Sequence, residues 1–102
     1  MSEWIKLCRR TELPAEGEAK EFDVQGKTLC VATTGGKPLA LDNVCPHRGG
    51  PLAEGTIEGG KVVCPWHQWE FDLATGAATG SPGMKAVSYG LRLDGEDVLV
   101  EI

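Results

Sequence analysis

A chain of 102 residues has room for one domain built on a single small core. Hydrophobic residues at 41% and charged residues at 25% are ordinary globular proportions and exclude a disordered chain. With 10 Lys and Arg against 15 Asp and Glu, the net charge of -5 excludes a surface made to bind nucleic-acid phosphates. The 14 Gly and 6 Pro predict many turns and few long helices. Met1 to Lys6 shows no basic stretch leading into an apolar one. Nowhere do the ~18 consecutive apolar residues of a membrane-spanning helix occur. The expectation is therefore a cytoplasmic protein without a membrane partner. In that reducing compartment the four Cys would be thiols, open to a metal, rather than disulfides.

In chain order, Trp4 to Cys8 and Ala19 to Val24 read as strands. Leu13 to Glu18, between them, could form a helical turn. Lys27 to Thr34 and Pro38 to Asp42 flank Gly35-Gly36, which is a hairpin signal. Near the C-terminus Val87, Tyr89, Leu91 and Leu93 fall at every second position, and after Asp94-Gly95 so do Val98, Val100 and Ile102. Two period-two runs around a Gly-containing turn predict a second hairpin. The stretch from Val44 to Met84 differs: it carries most of the Gly and Pro and both His. The fold class expected is all-β, a small antiparallel sandwich or barrel with an inserted, loop-rich module at about residues 43–84. The whole chain, residues 1–102, is taken as one domain. Trp4 is expected in the framework core. Cys8 and Cys30, on framework strands, are expected as small buried hydrophobes.

Two short pairs carry the chemistry. Cys45-Pro46-His47 is a C-x-H pair and Cys64-Pro65-Trp66-His67 a C-x-x-H pair, with residues 48–63 between them. Each pair can bring both side chains to one metal atom or cluster. Two thiolates and two imidazoles suit tetrahedral zinc, or a [2Fe–2S] centre of mixed ligation. Zinc sites of two Cys and two His usually keep the Cys together and the His together. Here each arm gives one of each, which fits a cluster with both Cys on one iron and both His on the other. Around these arms Glu54, Glu58, Glu70 and Asp72 form either an acidic rim or simply a solvated face.

The run Cys45-Pro46-His47-Arg48-Gly49-Gly50-Pro51-Leu52, with Cys64-Pro65-Trp66-His67 after it, resembles the two binding loops of Rieske iron–sulfur proteins. Gly80-Ser81-Pro82-Gly83 is similar to that family's third, proline-bearing loop. Trp69-Glu70-Phe71-Asp72 and Thr75-Gly76 are similar to the strand and turn that follow the second loop. The resemblance implies one [2Fe–2S] cluster, with Cys45 and Cys64 on the inner iron and His47 and His67 on the outer. In the family's high-potential members a disulfide joins the positions of Gly50 and Trp66. Those members also place hydroxyl donors at the positions of Trp69 and Phe71. Their absence implies a potential near the lower end of the family range, about −150 to +300 mV.

The function this implies is a soluble one-electron carrier, not an enzyme, and monomeric. It would take electrons from a flavin-dependent reductase and pass them transiently to a terminal oxygenase. One alternative is the Rieske-like small subunit of an assimilatory nitrite reductase; another is a zinc-bearing structural module. A catalytic oxygenase would need a mononuclear iron and further His ligands, and the chain has only 2 His, both in the loops.

Overall fold

The structure, a computed structural model, describes residues 3–45, 50–66, 68–80 and 83–102. Among the described residues ten strands pair into three sheets, antiparallel throughout. The middle sheet runs β2 (Ala19–Val24), β3 (Lys27–Thr34), β4 (Lys37–Asp42) and β8 (Ser88–Tyr89). A second sheet has the order β1 (Trp4–Arg9), β10 (Asp97–Glu101), β9 (Leu91–Asp94). The third is small: β5 (Thr56–Glu58), β6 (Lys61–Val63) and β7 (Glu70–Asp72). The all-β expectation is met, and β2 and β3 fall on their predicted bounds.

Strand β3 explains how the three sheets stay together. Its run Leu29-Cys30-Val31-Ala32 is entirely buried, as a strand covered on both faces must be. The two-residue period then sends alternate side chains to opposite sides. Leu29 and Val31 join Ala40 and Val100 in a core shared with the β1-β10-β9 sheet. Cys30 and Ala32 join Leu41, Cys45, Leu52, Val62, Cys64, Phe71, Leu73 and Ala86 in a second core on the other side. The middle sheet is thus the common wall of two cores, and the second one contains both loop cysteines.

Three local readings change. Leu13 to Glu18 is not helical; the only helical turn nearby is a 3-10 turn at Arg10–Glu12. Pro14 disfavours helical backbone at the residue before it, and Leu13 is held extended at φ -68 and ψ 149. Glu16 instead caps the β3–β4 hairpin: its two carboxylate oxygens accept from the amides of Gly35 and Gly36 at 2.8 and 2.7 Å. Both glycines have positive φ, 61 and 75, the geometry a two-residue hairpin of matching twist requires. The run from Val87 to Leu93 is broken at Gly90, where the chain leaves the middle sheet at β8 and enters the outer one at β9. Trp4 is not core either. It is 39% exposed, and the Arg92 guanidinium lies 4.5 Å from its ring centroid, a surface stack.

The loop-rich module leaves and rejoins the middle sheet at one place. Asp42, ending β4, donates its backbone N–H to the carbonyl of Val87, just before β8, at 2.8 Å. No helix among the described residues is long and apolar enough to cross a membrane.

Candidate metal centre

Each loop cysteine sits just beyond a strand. Two residues separate Cys45 from the end of β4, and Cys64 directly follows β6. Both loops are then pinched shut by the same device. The Cys45 amide donates to the Gly50 carbonyl at 2.8 Å, and the Cys64 amide donates to the Trp69 carbonyl at 2.7 Å. Two arms of matching design therefore present one cysteine each from a closed neck. His47 and His67 lie outside the described residues, as do Pro46, Arg48, Gly49, Ser81 and Pro82.

The structure brings the two thiols together. Cys45 and Cys64 are both buried and unoxidised, and they lie in one core, close enough for the Cys45 thiol to act on that of Cys64. Burial pushes the Cys64 thiol up, and the Cys45 thiol beside it pushes the same way. A hydrogen bond from the Trp66 backbone opposes both. Two soft donors converge in an apolar pocket that excludes water. That is a donor set for a thiophilic metal, whose positive charge replaces the missing solvation of the thiolates.

Gly50 keeps this space clear. A Cβ there would lie 2.9 Å from the Trp66 ring and 3.2 Å from the Cys64 sulfur. The indole of Trp66, half exposed at 49%, thus packs on the bare backbone of the other arm. Beneath the arms Phe71 is fully buried, with Trp69 stacked 6.5 Å from it. A phenyl ring offers no hydrogen-bond donor. The third loop is closed by a bond from Ala78 N–H to the Met84 carbonyl at 3.0 Å, and Met84 packs on the same core.

The acidic residues around the arms are not one rim. Asp72 is taken up in a turn, where its Oδ1 accepts from the amides of Ala74 and Thr75 at 2.8 and 3.1 Å. Glu70 lies 3.9 Å from the Lys61 ammonium. Glu54 and Glu58 are exposed. One residue that matters here escaped the sequence reading. Asn43, two positions before Cys45, is buried and hydrogen-bonded to both the framework and the first loop. A single Asn has no spacing or pattern that would single it out.

The framework thiols are buried as expected, and Cys30 has a measurable consequence. Burial, assisted by nearby Glu21, pushes its thiol from the ordinary 9.0 up to about 12. The folded chain then keeps a proton that the unfolded chain releases above pH 9. This contribution to stability is complete below pH 9 and is lost as pH rises towards 12, at up to ~1.4 kcal/mol per pH unit. Denaturant unfolding at pH 8.5 and 10.5 should show wild type losing more stability than Cys30→Ala over that interval. Equal losses would contradict the assignment.

An all-β frame whose two pinched loops converge on a buried pair of thiols is the frame of a metal-cluster protein. The Rieske [2Fe-2S] domain matches residues 3–92, and the chain belongs to that family. Its cofactor is one [2Fe–2S] cluster. The chain is 32% identical over 100 residues to the ferredoxin component of a naphthalene 1,2-dioxygenase system of Pseudomonas aeruginosa, covering 97% of this chain and 95% of that one. It is similar in structure to the ferredoxin of carbazole 1,9a-dioxygenase from Nocardioides aromaticivorans IC177, with TM-score 0.85 and 29% identity over 95% of each chain. A nitrite reductase small subunit from Mycobacterium tuberculosis shares the fold at TM-score 0.86, with 21% identity over all of this chain and 96% of that one.

Proposed function

We propose that this chain is the ferredoxin component of an oxygenase system. It carries single electrons from a flavin-dependent reductase to a terminal oxygenase, as a cytoplasmic monomer that docks transiently on each. The observation that carries this reading is the buried pair Cys45 and Cys64, brought into one core by two matching arms. The 32% identity to a dioxygenase-system ferredoxin component, against 21% to the nitrite reductase small subunit, supports the carrier role over a subunit role. The likeness to a nitrite reductase subunit concerns the fold. The zinc reading is set aside on the ligand order, one Cys and one His per arm.

The proposed ligand set is Cys45, His47, Cys64 and His67, within a cluster-binding subdomain at about residues 43–84 of a single domain. The two cysteines would hold the inner iron and the two histidines the outer. The bound cluster supplies one-electron oxidation and reduction. The protein's own part is to keep Cys45 and Cys64 dry and in place, to cover the second arm with Trp66, and to withhold a side-chain donor at Phe71. Hydrogen bonds to the sulfurs are among the features that set the potential. A position without a donor supports a midpoint near the low end, about −150 mV.

Electron paramagnetic resonance (EPR) of the dithionite-reduced protein tests the ligand set. Wild type should give a Rieske spectrum, and His47→Ala or His67→Ala should abolish or replace it while far-ultraviolet circular dichroism keeps its β signature. An unchanged spectrum in either variant would refute the assignment.

A further inference from the structure

Asn43 is the one polar side chain among the described residues that is buried, at 6% exposure. All its groups are bonded, and the bonds run to two different parts of the molecule. Its backbone N–H donates to the Thr28 carbonyl on β3 at 2.9 Å, and its side-chain Nδ2 donates to the Glu21 carboxylate on β2 at 3.0 Å. Both of these reach the framework. In the opposite direction its backbone carbonyl accepts from Leu52 N–H at 2.8 Å, and its Oδ1 accepts from Ala53 N–H at 2.8 Å. Leu52 and Ala53 open the 3-10 turn Leu52–Glu54, which ends the first arm. The amide cannot be turned round. A carboxylate does not donate and a backbone N–H does not accept, so Nδ2 must face Glu21 and Oδ1 must face Ala53.

Between these bonds the arm is closed in steps. Val44 bridges Pro51, and the Cys45 amide bonds the Gly50 carbonyl. Asn43 is the outermost step and ties both ends of the arm to β2 and β3. We propose that Asn43 is the positioning residue of the Cys45 arm, and that Glu21 holds it in the orientation that fixes Cys45 against Cys64. This rests on the cluster reading above. It adds that the placement of a ligand in one arm depends on a carboxylate on a framework strand that contributes no ligand.

The test uses the holoprotein, with two readouts: the EPR spectrum of the reduced state, and the rate of visible bleaching in excess EDTA. Asn43→Asp keeps the acceptor for Ala53 but sets a carboxylate against Glu21. It should lose its cluster at least tenfold faster than wild type and show a shifted spectrum. Adding Glu21→Gln restores a donor facing an acceptor with the direction reversed. That double variant should return to within threefold of the wild-type rate and regain the wild-type spectrum. Glu21→Gln alone keeps an acceptor for Nδ2 and should stay within threefold of wild type. If Asn43→Asp matches wild type, or the double variant is no slower than Asn43→Asp, the proposal is overturned. Absence of a Rieske spectrum in wild type would instead overturn the cluster reading.

Discussion

Gly55→Ala is expected to cost ~3 kcal/mol or more and to yield protein largely without its cluster. The reason is contact, not conformation. Gly55 is extended, at φ -83 and ψ -168, where any residue is comfortable. A Cβ there would collide with the Val63 carbonyl oxygen, and the Val63 carbonyl carbon would lie 2.9 Å away. Backbone cannot rotate out of the way as a side chain can. Relief requires prising β5 from β6, and Val63 pairs with Thr56 while preceding Cys64. The methyl group would thus push on the strand that delivers the second cysteine. Denaturant unfolding and the iron content of the purified variant would measure both effects. A loss below ~1 kcal/mol with full iron would show that the two strands can part freely.

Phe71→Ala should cost about 3–5 kcal/mol, the usual range for a buried phenyl. The ring is fully buried in the core that holds Cys45 and Cys64. On β7, Phe71 pairs with Val62 and also bridges Ala78 in the third loop. Truncation would leave a void between the small sheet and that loop. The neighbours are fixed by strand pairing and by the Asp72 turn, so they cannot collapse to fill it. Phe71→Leu keeps most of the volume and should lose less than half as much. The comparison is made by denaturant unfolding of the two variants side by side. Similar losses would mean that ring shape, not volume, sets the cost.

The strands that could be read in advance were those with a strong period and an explicit stop. β3 and β4 turn on Gly35-Gly36, and β9 and β10 turn about Asp94-Gly95. The three-residue strands β5, β6 and β7 are too short for a period to show, and their pairing follows from tertiary contact. Glu16 was read as part of a helical turn because its partners, Gly35 and Gly36, are distant in sequence. Trp4, expected in the framework core, stacks instead with Arg92, which lies on a strand near the other end of the chain. At the centre, the Cys–His spacing pointed to the arms, and the structure brings Cys45 and Cys64 together. The Asn43 clamp was invisible, since three of its four partners are backbone groups with no sequence signature of their own, and the fourth, Glu21, is distant in sequence.

The double-sided burial of β3 also sets how substitutions will combine. Side chains at Val31 and Ala32 are neighbours in the chain but belong to different cores. Any backbone shift that repacks one must displace the other, so changes on the two faces should be strongly non-additive in double-mutant cycles. The residues far from the cysteines are then not free to drift independently of those beside them. A volume change at Leu29 or Val100 becomes, through one strand, a perturbation of the environment of Cys45 and Cys64.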